Sequence, residues 1–334
     1  MAVNAVLPPL WFPYGVSSLE RGEYAAASAA FAGLLALMGL GLWLGYRAMR
    51  NHCLGTNRAE RANTRAAVAN NGKLAFTAKG LPFLADDTAG LVRMAWLHYT
   101  RFPNLRTAAG ASLFMGVAWC FMMGLAGKGE GRPMFVAGFV MLWPYMSLSV
   151  FMLNAFGADY GGFRSLVLTP TARHKYLLAR NIAFAPILGG LSLVFALVIG
   201  LLTHMALADL LTWVMLAPGL YLLLTSLGNF TSVLVPYALP RSALRRNKTN
   251  TSLLLAGLVN ALVFLALMAL STAIVALNWL GNLLGVGAVP LGPLAAAVLL
   301  LLTFALYPFL LRRAGRMLQR RELRVLEALT RDRE

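Results

Sequence analysis

Long apolar stretches alternate along this sequence with short polar segments that are rich in Arg and Lys. The stretches that contain no Asp, Glu, Lys, Arg or His cover residues 24–46, 107–127, 134–156, 181–203, 210–235, 252–280 and 289–311. An α-helix rises about 1.5 Å per residue, so each stretch can cross a hydrocarbon core of about 30 Å. The pattern predicts an all-α protein, a polytopic membrane helix bundle with about seven transmembrane helices.

The basic residues predict how the bundle is oriented. When the loops are assigned alternately to the two sides, 26 of the 29 Lys and Arg residues fall on one side, and Arg21, Lys128 and Arg132 fall on the other. Basic residues near helix ends are retained in the cytoplasm. We therefore expect the N-terminus outside and the C-terminus inside the cell. This topology accounts for the net charge of +17, so the expected surroundings are the lipid bilayer and not nucleic acid.

Three regions follow from this topology. Residues 1–106 hold an external N-terminal segment, the first transmembrane helix and a cytoplasmic loop. Residues 107–311 form a six-helix membrane core, and residues 312–334 form a basic cytoplasmic helix. Because 59% of the residues are hydrophobic and only 12% are charged, the composition lies outside the range of ordinary soluble domains.

The last third of the cytoplasmic loop predicts an amphipathic helix. Asp86, Asp87 and Thr88 offer N-cap chemistry, and Pro103 offers a stop. The apolar side chains that share one helical face between these signals are Leu91, Val92, Ala95, Trp96, Tyr99 and Phe102. Such a face favours a helix that lies in the cytoplasmic membrane interface. The alternative is a helix that packs on the protein's own loops.

Signatures of catalysis and nucleotide binding are absent from the sequence. It has no HExxH, GxSxG or GxxxxGK[ST] motif, and its four His and two Cys residues do not fall at metal-ligand spacings. We therefore expect no catalytic, cofactor or metal site, and no enzyme activity in this chain by itself. The amide side chains in the apolar stretches are those of Asn154, Asn181, Asn229, Asn260 and Asn278. They are expected to hydrogen-bond across helices, and the alternative is contact with a substrate.

The segment from Asn154 to Asn181 has the most distinctive pattern. Its glycines, which are Gly157, Gly161 and Gly162, permit a sharp exit from the membrane. A short apolar ridge follows, and it consists of Phe163, Leu166, Val167 and Leu168 before Pro170, with Arg164, Arg173 and Lys175 around it. The pattern predicts a short rigid knob that a soluble partner can contact. The alternative is an ordinary solvated loop that its positive charge holds inside.

This segment resembles the cytoplasmic loop of type 2 ABC (ATP-binding-cassette) export permeases. The resemblance lies in Phe156-Gly157-Ala158-Asp159, the following glycine and apolar helix, Pro170, Arg173 and the Leu-rich re-entry that ends at Asn181. The helix before Pro103 is similar to that family's amphipathic entry segment, and the ending from Arg316 to Leu329 resembles its basic tail. The first span and the N-outside start depart from the family's usual six-helix half.

The resemblance implies a multi-pass transmembrane permease subunit of an ATP-driven exporter in a bacterial cytoplasmic (inner) membrane. ATP and Mg would be bound by a separate ATP-binding-cassette ATPase subunit, and a second permease copy or a homologous permease would complete the pathway. The ATPase-coupling loop would comprise Gly157, Asp159, Gly161, Phe163, Arg164, Leu166, Pro170 and Arg173, with Phe163, Arg164 and Leu166 in a groove of the ATPase. The interfacial helix would use Leu91, Trp96, Tyr99 and Phe102.

Two other classes of function compete with the exporter. One is a secondary transporter driven by an ion gradient, which usually needs an ionisable residue inside the bilayer or an unwound helix. The other is a membrane scaffold or a membrane enzyme with an unrecognised site, which would ordinarily need clustered His, Asp or Glu. The small and apolar character of the stretches suits a lipid, a hydrophobic drug or an amphipathic peptide better than a highly charged solute.

Overall fold

The computed structural model describes residues 11–53, 84–126, 133–203, 205–239, 251–285 and 290–330, and the regular secondary structure within these ranges is helical. In chain order the helices are α1 (Trp11–Glu20), α2 (Tyr24–Cys53), α3 (Asp86–Arg101), α4 (Pro103–Ala126), α5 (Pro133–Leu153), α6 (Phe163–Leu168), α7 (Arg173–Thr203), α8 (Leu207–Leu234), α9 (Thr251–Leu283) and α10 (Leu291–Thr330). A 3₁₀ turn at Tyr160–Gly162 precedes α6. The predicted irregular loop over 54–83, the turn with Lys128 and Arg132, and the basic link over 240–250 lie outside the described residues.

The all-α prediction is confirmed for the described part of the chain. Each of the seven apolar stretches falls largely within one helix. Within the described residues, five helices are long and apolar enough to cross a membrane, and these cover Tyr24–Arg47, Arg173–Leu201, Leu207–Leu234, Gly257–Gly281 and Leu291–Thr330. A shorter apolar helix covers Gly138–Leu153. The total of seven spans and their orientation stay predictions.

The chain divides into two compact units, Met1–Gly80 and Leu81–Glu334. In the first unit α1 packs on α2, and the ring of Trp11 lies against Gly33. A Cβ at position 33 would come within 2.4 Å of this ring, so the close contact needs glycine there. Gly22, with φ of 74°, occupies the turn between the two helices. Only glycine adopts this left-handed conformation without strain, so the turn depends on it.

In the second unit, close backbone approaches bring the helices together around one hydrophobic core. A Cβ at Gly228 of α8 would lie 2.2 Å from the carbonyl oxygen of Met152 at the end of α5. At Gly116 of α4 a Cβ would lie 2.1 Å from the ring of Phe195, which is fully buried in α7. Small residues at such contacts let membrane helices pack closely, where dispersion supplies much of the attraction.

A second hydrophobic cluster forms one end of this unit. It comprises side chains of the segment after α5, of α6, the start of α7, the end of α8 and the last turns of α10, and its buried members include Phe156, Phe163, Tyr176, Val233 and Leu318. Helix α3 packs along α7 beside this cluster. We call α3, residues 154–180 and residues 311–330 together the basic end, because all three segments contain Arg or Lys residues.

The amphipathic helix predicted before Pro103 is confirmed as α3, but the capping residue was predicted wrongly. The N-cap is Ala85, and no side chain caps the helix. Asp86 and Asp87 lie in the first turn, where their negative charges interact favourably with the positive end of the helix dipole. Phe102 is extended because it precedes proline, and Pro103 opens α4 at a position where its missing N–H costs nothing.

Candidate functional site

The candidate site is the segment that joins α5 to α7 at the basic end. Its base is hydrogen-bonded to the chain that follows α8: the Asn154 side-chain amide donates to the Tyr237 carbonyl oxygen at 2.7 Å, and the Leu239 N–H donates to the Gly157 carbonyl oxygen at 2.8 Å. The Tyr160 hydroxyl donates to the Leu239 carbonyl oxygen at 2.5 Å. These bonds fix the point at which the segment leaves α5.

The glycines of the segment serve a different purpose from the one predicted. None of them has positive φ, and the residue that does is Tyr160, with φ of 48°. Gly157 is required because a Cβ there would lie 2.2 Å from the Asn154 amide nitrogen and 2.9 Å from Leu239. A Cβ at Gly162 would meet open space. The sharp exit therefore depends on close contact at Gly157, and not on the conformational freedom of three glycines.

A buried ion pair ties the segment to α7. Arg180 donates to the carboxylate of Asp159 and to the carbonyl oxygen of Ala155, and the two charged side chains are only 8% and 9% exposed. The guanidinium also lies 5.0 Å above the centre of the Phe156 ring. A charge pair this deep is stable only when further hydrogen bonds and contacts compensate for lost hydration, which Ala155 and Phe156 supply.

His98 brings α3 to the same pair. Its Nε2 lies 3.6 Å from the Asp159 carboxylate and is buried without a hydrogen-bond partner among the described residues. Burial lowers the pKa of His98, the carboxylate of Asp159 opposes that change, and the charge of Arg180 adds to it. The imidazole is therefore held in its neutral form at neutral pH.

Arg173 joins the other end of the segment to α10. Its guanidinium donates to the carbonyl oxygens of Leu166 at 3.0 Å, Val167 at 2.9 Å and Thr169 at 3.0 Å. Its Nε also pairs with the carboxylate of Glu322 at 2.8 Å. Because the last carbonyl groups of a helix have no intrahelical partner, Arg173 satisfies the end of α6 and attaches it to α10.

The apolar ridge predicted for this segment is divided between the interior and the surface. Phe163 and Leu166 are 2% and 8% exposed, and they pack within the second cluster, where the rings of Phe156 and Phe163 meet edge to face. Leu168 is 76% exposed, and Arg164 and Pro170 are exposed as well. Phe163 and Leu166 are therefore core residues, and an Asp substituted at either position would be buried. This finding revises the expectation that the two side chains contact a partner.

The apolar face of α3 packs on the protein. The ring of Tyr99 meets that of Phe184 edge to face at 5.3 Å, and Phe102 meets Phe151 in the same way at 6.2 Å. Leu91 and Trp96 are partly buried against the core. Lys175 of α7 pairs with Asp87 at the start of α3. This face therefore packs on helices α5 and α7, and not on loops as the alternative supposed, and the position of α3 relative to a membrane stays a prediction.

Asn181, Asn229 and Asn278 hydrogen-bond across helices, as expected, whereas Asn154 bonds to the chain after α8 and the Oδ1 of Asn260 has no partner among the described residues. The Asn181 amide of α7 donates to the Tyr307 hydroxyl of α10 at 2.8 Å and to the Asn229 side chain of α8 at 3.3 Å. At the other end of the bundle, the Asn278 amide donates to the Asp209 carboxylate at 2.7 Å, and its carbonyl oxygen accepts from the Gly292 N–H at 2.7 Å. These bonds link α7, α8, α9 and α10.

A cavity of about 270 Å³ lies between α5, α7 and α8. Its walls are almost entirely apolar, and the residues with polar groups that line it are Tyr145, Ser192, Trp213 and Tyr221. The Tyr145 hydroxyl is occupied, since it donates to the carbonyl oxygen of Ala217 at 2.7 Å. The cavity can therefore receive an apolar molecule with few hydrogen-bonding groups.

Several members of the site could not be recognised from sequence. Glu322 is separated from Arg173 by 149 positions, and His98 lies in the predicted interfacial helix without a motif around it. Within the described residues, no three His, Cys, Asp or Glu side chains are grouped so as to hold a metal ion. Comparison with protein-family models, curated proteins and solved structures finds no match to this chain.

Proposed function

We propose that this chain is the transmembrane permease subunit of an ATP-driven ABC exporter. The observation that carries the proposal is the way in which residues 154–180 are attached to the helix bundle. The exposed tip of this segment, formed by Arg164, Leu168 and Pro170, stands on a base that ion pairs attach to α7 and α10. The resemblance of the same residues to the coupling loop of export permeases supports this interpretation.

Because the 154–180 segment is attached to both α7 and α10, it can transmit a displacement of its tip to these helices. A displacement of the tip is transmitted through Arg173 to the first turn of α7 and, through Glu322, to α10. It is transmitted a second time through Asp159 to Arg180, two turns further along α7. Packed helices shift between discrete arrangements and do not deform continuously, so a partner that favours one arrangement can switch the bundle. The basic end faces the cytoplasm in this proposal, in keeping with the distribution of Lys and Arg.

The ATPase is a separate subunit in this proposal, because the sequence has no phosphate loop of the GxxxxGK[ST] type. A second permease copy or a homologous permease completes the pathway. The apolar cavity between α5, α7 and α8 favours a hydrophobic or amphipathic substrate over a charged solute. The absence of ionisable residues from the seven apolar stretches is in keeping with energy supplied by a partner.

Co-purification tests the proposal directly. The chain is extracted from its native host in a mild detergent, and proteins that co-purify with it are identified by mass. A stoichiometric partner with a phosphate-loop motif is the expected result. An intact, monodisperse chain without any ATPase would contradict the exporter and favour a self-sufficient transporter or a scaffold.

A charge-reversal variant tests the tip. Arg164→Glu/Leu168→Asp places two negative charges on the exposed tip and leaves the buried side chains in place, so we expect at least tenfold less ATPase to co-purify. The matched control is Leu323→Asp/Arg324→Glu on α10, where both residues are also exposed. Equal recovery of the ATPase with both variants would show that the tip is not the contact surface.

A further inference from the structure

Arginines of α10 surround an open cleft at the basic end. The cleft has a volume of about 520 Å³ and is lined by Arg313, Arg316, Arg320 and Arg321 with Met317 and, from α8, Phe230. None of these arginines forms an ion pair with a carboxylate among the described residues, and the neighbouring Glu322 is already paired with Arg173. The cleft is therefore a concentration of uncompensated positive charge.

The arginines continue an apolar stripe of the same helix. Leu302, Leu306, Phe309, Arg313, Arg316 and Arg320 follow one another at spacings of three and four residues, so they lie on one face of α10. The three apolar side chains are each more than half exposed. The other face carries Leu311, Ala314 and Leu318, which are buried in the protein. An outward-facing surface thus changes from apolar to basic between Phe309 and Arg313.

The distances along this face match the cross-section of one membrane leaflet. At about 1.5 Å per residue, Leu302 to Phe309 covers about 10 Å, and Arg313 and Arg316 lie about 6 Å and about 10 Å beyond Phe309. The polar headgroup layer of a bilayer is about 5–8 Å thick on each side of the hydrocarbon core. Arg313 therefore falls at headgroup depth, and Arg316 falls at the outer edge of the headgroup layer, when the apolar side chains lie in the hydrocarbon.

We propose that this cleft binds the phosphate-bearing headgroup of an anionic phospholipid, with the acyl chains along Leu302, Leu306 and Phe309. A guanidinium presents two parallel donors that match the oxygens of a phosphate, and several of them around one cleft favour a headgroup with net negative charge. Basic pockets at the edge of transmembrane helices are suited to such headgroups. The inference does not depend on transport, since it rests on α10 and Phe230 alone.

Native mass spectrometry of the purified full chain tests the proposal. The protein, in a neutral detergent, is titrated with phosphatidylglycerol or with phosphatidylcholine, and the Kd of the first bound lipid is measured. We expect phosphatidylglycerol to bind the wild-type chain more tightly than phosphatidylcholine. Each arginine at an anionic surface contributes about fivefold to affinity, so Arg313→Gln/Arg316→Gln should weaken phosphatidylglycerol binding by about 25-fold. Both side chains are exposed, so the exchange leaves the packed face of α10 unchanged.

A matched control separates the cleft from the general basic charge. Arg101→Gln/Arg106→Gln removes two exposed arginines, one in α3 and one in the first turn of α4, that do not line the cleft, and it should keep the wild-type Kd within about twofold. Equal losses in the two double variants would overturn the proposal, as would equal wild-type affinity for the two lipids. Glycerol phosphate in solution distinguishes the lipid from its phosphate: full displacement at millimolar concentration would assign the cleft to a soluble phosphate.

Discussion

The guanidinium of Arg173 donates to three carbonyl oxygens at the end of α6 while its Nε pairs with Glu322. This set of bonds requires a planar group with several donors in fixed directions. A lysine ammonium is a point charge with three donors, and it cannot reach the carbonyls and the carboxylate together. At this position the arrangement of donors matters more than the positive charge itself.

At the residue scale we therefore predict that Arg173→Lys destabilises the protein although the charge is kept. Loss of two or three hydrogen bonds, at about 1 kcal/mol each, should lower the free energy of unfolding by about 1–3 kcal/mol. The measurement is the midpoint of thermal unfolding in one detergent. Arg164→Lys is the control, because Arg164 is exposed and should tolerate the same exchange. Identical midpoints for both variants would contradict the bonding described for Arg173.

At the scale of elements, Asp159 and Arg180 connect α3, the 3₁₀ turn and α7. Both charged groups are buried, so each stabilises the fold only while it is paired with the other. Removing either partner leaves the other charged and desolvated. Removing both takes away the pair together with its hydration cost.

This reasoning predicts a large coupling in a double-mutant cycle. Arg180→Gln or Asp159→Asn alone should cost about 3 kcal/mol or more, because an unpaired charge remains buried. The double variant Asp159→Asn/Arg180→Gln should cost clearly less than the sum of the two. Unfolding midpoints of the four proteins provide the cycle. Additive losses would mean that the two side chains do not act as a pair.

At the scale of the whole molecule, α10 is fastened near both of its ends and in its middle. Gly292 binds Asn278 of α9, Tyr307 binds Asn181 of α7, and Glu322 binds Arg173. Helix α8 packs along α10 more extensively than along any other described helix. In the proposed exporter, a movement that begins at the basic end would be carried along the bundle by α10.

The fastening at the far end can be tested by comparing two asparagines of α9. Asn278 links α8, α9 and α10, whereas the Oδ1 of Asn260 is buried and has no hydrogen-bond partner among the described residues. Asn278→Leu should lower the free energy of unfolding by about 1–3 kcal/mol, because it leaves buried partners unsatisfied. Asn260→Leu should be neutral or stabilising, as judged by the same unfolding midpoint. A larger loss at Asn260 would contradict this account of the bundle.

The sequence by itself determined the helices of the bundle. In lipid each backbone polar group must be satisfied within its own segment, so a long uncharged stretch forms a helix whatever its neighbours are. The end of α3 and the start of α4 were equally readable, because proline restricts the residue before it. Both effects act between residues that are close in sequence, so the sequence pattern alone predicts them.

Only the tertiary structure decided which residues of the 154–180 segment face the interior. Phe163, Leu166 and Leu168 look alike in sequence, but the side of α6 that meets α10 buries the first two and exposes the third. The partners of Arg173 and Arg180 lie 149 and 21 positions away. Such contacts depend on how helices pack against one another, and packing is a property of the assembled bundle that no single segment encodes.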